Sequence, residues 1–232
     1  MNSLKPGFGP GDGGSNPPGA IILLGKFMMK QREVWDTLAD SWTHLRVRPE
    51  PEIIEFSKKT RGKVLDVGCG NCRNLLPFLE KKVDCFGLDY SKGMIREAKK
   101  FLKRRGLEAK LIVGNASRLP FKEKVFEKVI CVRTLHHLEK REERIETLKE
   151  LKRVGNEILI SVWKKWQRRF IFKLLKNFFS SDVYVEWKYH GKVYKRFYHL
   201  YTKKELEKDL KEAKVKTKKI WFDRKGNIWV LA

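Results

Sequence analysis

From Lys30 onward, apolar and polar positions follow two periods that trade places along the chain. In "QREVWDTLADSW" the apolar residues Val34, Trp35, Leu38 and Trp42 recur at helical spacing, which predicts an amphipathic helix. "GKVLDVGCG" is a short apolar run ending in glycines, the pattern of a buried strand entering a tight turn, and "RNLLPFLEK" then predicts a helix. "DCFGLD" predicts a second strand, and "MIREAKKFLKRRG" an amphipathic helix closed by Gly106. Three further apolar strands are expected at "AKLIVGN", "EKVICVR" and "EILISVW", with "REERIETLKELKRV" as the helix between the last two. "TKKELEKDLKEA" opens on a threonine N-cap with Glu205 three residues later, a capping box. "KVKTKKIWF" and "NIWVLA" are the final strand candidates and flank a turn at "DRKGN".

Strands alternating with helices predict an α/β fold, a doubly wound, mostly parallel seven-stranded sheet. The last two strands would close it as an antiparallel hairpin. Residues 164–202 interrupt the alternation, and within them "HGKVYKRFYHLY" (190–201) crowds aromatic and imidazole rings among Lys192, Lys195 and Arg196. Tyr194, Phe197 and Tyr201 are spaced by 3 and 4, which disfavours a plain strand. The competing reading is that these three rings are the buried face of one. Ahead of the domain, "MNSLKPGFGPGDGGSNPPGA" is rich in Gly, Pro and Ser, so residues 1–29 are expected to be a disordered tail and residues 30–232 the folded domain. "AIILLGKFMM" is shorter than the roughly 20 residues a bilayer span needs, so no membrane association is expected. Translation starting at Met28 or Met29 is one explanation of the tail.

Charge narrows the partner class. Lys and Arg total 52 against 28 Asp and Glu, a net charge of +24, and the resulting field favours polyanions, nucleic acid first among them. A Lys/Glu-rich thermophile surface, with only Gln31 and Gln167 as glutamines, accounts for many charges but not for their imbalance. Cys69 and Cys72 have C-x-x-C spacing, but neither a second such pair nor a histidine pair at finger spacing follows, so no metal site is expected. With no secretory signal evident, reduced cysteines and a cytoplasmic location are expected.

Candidate chemistry begins at "VLDVGCGNCRNLL", where Asp66, Gly68 and Gly70 stand at the carboxyl end of the first strand, the end at which such sheets bind ligands. Arg73 stands where a dinucleotide fingerprint wants its third glycine, and no P-loop run is present. Asp89, at the end of the next strand, can accept both ribose hydroxyls of an adenosine. This set resembles the class I S-adenosylmethionine-dependent methyltransferases: "VLDVGCG" matches their first motif, Asp89 in "GLDYS" their second, and "GNASRLPF" followed by "VFEKVICVRTLHHL" the next two. The resemblance implies a Rossmann-like methyltransferase fold and S-adenosylmethionine as cofactor. Gly68, Cys69 and Gly70 would pass its methionine moiety, Asp89 would hold the ribose, Asn115 and Ala116 would meet adenine, and Asp66 would belong to the same cofactor site. Asn115 departs from the family's usual aspartate and Cys72 from a frequent glycine.

"THLRVRPEP", "LHHLEKREERIETLKELKRV", "SVW" and "DVYVEWKYHGKVYKRFYHLYTKKELE" extend the likeness to the tRNA wobble-uridine carboxymethyl methyltransferases. That likeness implies methyl-ester formation on a carboxymethyl group at uridine C5 in the tRNA anticodon. A carboxylate is already nucleophilic toward a sulfonium methyl, so orientation is what the protein must supply. Arg46 or Arg196 would orient it, with His136 and Tyr198 as further donors; Arg48 and His199 would contact the nucleotide and Trp163 would be a stacking wall. Glu50 stands where relatives carry an aromatic residue. The family also implies a small zinc-binding activator protein, paired with an edge strand at residues 109–115. Competing readings are a methyltransferase acting on a small quinone or lipid precursor, a non-catalytic RNA-binding module, and a zinc-binding protein.

Overall fold

In chain order the elements are α1 (Gln31–His44), α2 (Pro51–Phe56), β1 (Val64–Val67), α3 (Leu76–Leu79), β2 (Cys85–Asp89), α4 (Lys92–Lys103) and β3 (Lys110–Val113). There follow β4 (Phe126–Val132), α5 (Arg141–Val154), β5 (Gly155–Trp163), α6 (Ile171–Lys176), β6 (Asp182–Tyr189) and β7 (Lys192–His199). The chain closes with α7 (Lys203–Glu212), β8 (Lys219–Phe222) and β9 (Asn227–Leu231). This computed structural model describes residues 29–176 and 180–232. Apart from Met29, the expected tail and the candidate start at Met28 lie outside the described residues.

The seven-stranded sheet has the order β3-β2-β1-β4-β5-β9-β8, parallel except where β9 pairs antiparallel with β5 and β8. This is the doubly wound sheet with a closing hairpin that the alternation predicts. Its central strands are apolar on both sides because each face is covered. Leu65, Val67, Val129 and Ile160 pack under α5 and α7 with Leu148, Leu151, Leu206 and Leu210. Val64, Ile130, Leu159 and Trp229 pack on the other face with Ile53, Phe78, Ala98 and Phe101. Thr202 and Glu205 form the expected capping box at the start of α7. Among the described residues no helix is long and apolar enough to cross a membrane.

Two expectations need correction. The strand read in "KVKTKKIWF" begins only at Lys219, because Val215 donates its backbone N–H to Leu210 O and is buried as part of the closure of α7. The stretch at 190–201 is a strand after all, β7, paired residue for residue with β6 in a separate two-stranded sheet. His190 and Gly191, at φ 47° and 69°, make the two-residue turn that this hairpin requires. Alternation is lost in its second half because Arg196, Phe197, Tyr198 and His199 are all buried: both faces are covered.

Helix α1 straps this hairpin to the sheet. The Gln31 amide donates to Lys195 O (3.2 Å) and accepts from Phe197 N–H (2.9 Å), pairing with the edge of β7 as another strand would. One turn on, the Asp36 carboxylate accepts from Ser91 Oγ (2.7 Å) and Gly93 N–H (2.9 Å) at the start of α4. A Cβ on Gly93 would lie 2.5 Å from Asp36 O, so the two helices approach this closely only over glycine. Gly93→Ala is therefore expected to destabilise the protein by about 1–3 kcal/mol and to speed proteolysis within α1, measured by thermal unfolding and limited digestion.

Candidate active site

The site is assembled at the carboxyl ends of β1, β2, β4 and β5. After β1 the backbone turns through Gly68 (φ +74°) and Gly70 (φ +53°), and the N–H groups of Gly68 and Cys69 donate to Leu88 O. A Cβ on Gly68 would meet Thr134 Oγ1 at 2.1 Å, and one on Gly70 would press on the Trp42 ring at 3.1 Å. Both glycines are therefore dictated by space as well as by φ. Asp89 holds the turn: its Oδ2 accepts from Gly70 N–H and its Oδ1 from Ser91 N–H, each at 2.9 Å. Burial pushes the Asp89 pKa up to about 6 against those two bonds. Asp66 is fully enclosed, its pKa raised to about 8 chiefly by burial, and neither of its oxygens has a hydrogen-bond partner among the described residues. Cys69 and Cys72 are buried free thiols. Asn115 lies exposed beyond β3, its Oδ1 accepting from Ser117 N–H and Oγ, while Ala116 is buried beside it in the core. An enclosed carboxylate lacking partners, a side-chain-free turn and an adjacent half-buried carboxylate fit an amino-bearing nucleoside ligand.

Beside this turn stands a second constellation. Arg196 donates to Tyr198 Oη at 2.9 Å and lies over the Trp187 and Trp35 rings at 4.7 and 5.6 Å. Arg46 lies over Trp42 at 4.8 Å and Trp187 at 5.9 Å, and Arg169 over Trp163 at 4.2 Å. Burial raises the Tyr198 pKa, and the charges of Arg196, Arg46, Arg169 and Arg133 all oppose it. Burial lowers the Arg46 pKa to about 10, which leaves it charged at neutral pH. Among the described residues Arg46, Arg169 and Arg196 form no ion pair with a carboxylate; the arginines that do are Arg73, Arg133, Arg141 and Arg153. A half-buried cluster of unneutralised guanidiniums is a site for an anion.

The predicted residues divide. Arg46, His136, Arg196, Tyr198 and Trp163 converge as the sequence reading expects. His136 Nδ1 accepts from the Trp163 backbone N–H at 3.0 Å, so its proton sits on Nε2, which is buried without a partner. Burial holds the His136 pKa well below its ordinary value, and it stays neutral. Trp163 is not a free stacking wall: Tyr198 stacks on it at 4.1 Å and 3°, and Arg169 at 4.2 Å must take the opposite face. His199 is likewise occupied, bridging Asp182 (2.6 Å) and Glu205 (2.8 Å) and so joining β6 to α7. Arg48 is exposed at the rim of a recess of about 270 Å³ that it shares with Arg46, Glu50, Arg73 and Arg133. Arg133 and Arg169 were missed, although Arg133 directly follows β4 and Arg169 sits in the basic insertion. Trp35 and Trp42 read in the sequence only as one face of a helix.

Glu50 organises the recess. It accepts from Arg73 (2.8 Å), Arg133 and Lys225 (3.0 Å), while its own N–H donates to Asn74 Oδ1 (3.3 Å). Burial pushes its pKa up, but Arg133 and Arg73 outweigh burial and hold it at about 2.

The family model for a methyltransferase domain matches residues 64–157, the span from β1 to β5. The mouse protein named "Probable tRNA methyltransferase 9B" is 29% identical over 159 residues, 66% of this chain and 32% of that protein. The yeast (Saccharomyces cerevisiae) tRNA (carboxymethyluridine(34)-5-O)-methyltransferase is 29% identical over 165 residues, 67% of this chain and 55% of that one. The chain thus spans about a third of the length of the mammalian relatives it matches. A SAM-dependent methyltransferase from Methanosarcina mazei superposes with a TM-score of 0.64 at 21% identity, covering 79% of this chain and 97% of that one. The chain has the class I methyltransferase fold and resembles the wobble-uridine carboxymethyl methyltransferases.

Because the folded pKa of Glu50 lies below the ordinary 4.5, its stabilisation is complete above pH 4.5 and is lost as pH falls toward 2. Glu50→Gln is expected to lower stability at pH 7 by about 3 kcal/mol. The difference from the parent should shrink through that acid window, as measured by urea unfolding at several pH values.

Proposed function

We propose that this chain transfers a methyl group from S-adenosylmethionine to the carboxylate of a carboxymethylated wobble uridine in tRNA, forming a methyl ester. The observation that carries the reading is the gathering of Arg46, Arg169 and Arg196 around the Tyr198, Trp163 and Trp187 rings, with no carboxylate among the described residues paired to any of the three. A substrate carboxylate would complete that site. The name of the yeast relative supports the choice of substrate.

When bound, S-adenosylmethionine supplies an electrophilic methyl group on a sulfonium. The chain's own residues bind, orient and exclude water. Asp89 keeps free lone pairs for ribose hydroxyls after serving Gly70 and Ser91, and Asp66 offers the buried oxygens beneath the turn. Asn71 Nδ2 donates to Arg46 O at 2.7 Å, so the arginine loop is registered to the glycine turn directly. The substrate carboxylate attacks as it stands, and no residue has to remove a proton. Arg46 and Arg196 grip one oxygen side and leave the other free to react, since a carboxylate bound on every lone pair would be quenched. Neutral His136 offers an Nε2–H.

Partner binding completes the reading. β3 is the sheet's outer strand, with Val113 42% exposed, and among the described residues nothing pairs with its outer edge. A small zinc-binding protein adding a strand there would protect it.

Arg46→Ala and Arg196→Ala are expected each to lower methyl transfer into tRNA by about 10- to 150-fold, the worth of a hydrogen bond to a charged group. Incorporation into a lipid extract instead of tRNA would overturn the substrate. Asp89→Ala should weaken S-adenosylmethionine binding by about 1–3 kcal/mol in calorimetric titration. Ile112→Pro removes a backbone donor from β3 and should abolish co-purification of the zinc protein; a complex that survives it rules out strand addition.

A further inference from the structure

Helix α6 turns an apolar face to solvent beside the ring of arginines. On its inner side, Leu174 and the preceding Phe170 pack with Val183, Tyr198 and Leu200. On its outer side Phe172 is 85% exposed and Leu175 53%, and Trp166, just ahead of the helix, is 56% exposed. Phe172 and Leu175, three residues apart on one helix face, leave large apolar side chains in water, and such patches mark contact surfaces. Arg168 and Arg169 stand between Trp166 and Phe172 in the chain. Arg169 belongs to both regions: it is exposed on this face and lies 4.2 Å over Trp163 in the cleft. Arg169 thus links this segment to the anion site.

Rings between guanidiniums suit single-stranded nucleic acid, whose bases stack on any π-face while phosphates meet the cations. An acidic lipid surface could meet the same residues, but it would cover the mouth of the cleft that Arg169 lines. We propose that Trp166, Arg168, Phe172 and Leu175 form the docking surface for the loop nucleotides that flank the one entering the cleft. The proposal rests on the tRNA reading above, and it assigns to α6 the part of RNA recognition that lies outside the reacting nucleotide. The chain then holds its substrate at two places: the arginine ring grips the reacting nucleotide, and α6 holds the loop that presents it.

The test uses the full chain and a fluorescent anticodon stem-loop RNA carrying 5-carboxymethyluridine in its loop. Trp166→Ala and Phe172→Ala are each expected to weaken binding on the order of tenfold, the scale of one lost base–ring stack. KM should rise in parallel, with kcat at saturating RNA unchanged; the thermal midpoint of Phe172→Ala should also be unchanged, since that ring is 85% exposed. Arg168→Ala should reduce the slope of log affinity against log salt by about 1. Stem-loop binding without methyl transfer, still weakened by the variants, would overturn the proposed reaction and leave the docking surface standing. Stem-loop affinity and KM unchanged in both ring variants would overturn the surface, as would RNA binding unchanged alongside lost binding to phosphatidylglycerol vesicles.

Discussion

A single buried carboxylate decides how positive charge is distributed over the carboxyl edge of this sheet. Glu50 bridges Arg73, Arg133 and Lys225, which come from the helix start after the glycine turn, the end of β4 and the β8–β9 turn. Removing one partner from such a cluster leaves uncompensated buried charge, so these segments are held together by electrostatics as well as packing. Arg46, Arg169 and Arg196 have no such carboxylate among the described residues, and the positive charge left over collects around Tyr198. A net charge of +24 describes the molecule as a whole; Glu50 determines where the excess becomes a site.

Geometry at that site depends on α1 as much as on the sheet. Through Gln31, Asp36 and Trp42 the helix touches β7, the start of α4 and Gly70 in turn. The glycine turn and the basic hairpin come from distant parts of the chain, and α1 brings them to one cleft. The stacked column of Tyr198, Trp163 and Arg169 makes the inner wall rigid. That rigidity would suit the proposed reaction, whose nucleophile needs alignment and no activation.

Much of the architecture was legible in the residues because it rests on short-range pattern. The strands β1 to β5 are apolar runs, α4 and α5 carry helical periodicity, and the Thr202–Glu205 cap is a local signature. The glycine turn with Asp66 and Asp89 could be read because φ and spacing are properties of neighbouring residues. Arg46, His136, Arg196 and Tyr198 were legible as a group only through family resemblance, since nothing local joins residues 46 and 196.

Tertiary structure decided what periodicity cannot encode. Whether "HGKVYKRFYHLY" is a strand depended on its pairing with β6 and on burial of both faces of its second half, which hides the alternation that marks a strand. His199 and Trp163 looked like substrate contacts by residue type, yet Asp182, Glu205, Tyr198 and Arg169 already occupy them. Arg133 and Arg169 gained meaning only when three-dimensional proximity separated paired guanidiniums from unpaired ones. The chain by itself determined its sheet, its glycine turn and its excess of charge, because those are local or additive. Which cations pair with a carboxylate and which remain for a substrate is a matter of distances across the fold, and a linear pattern carries no such distances.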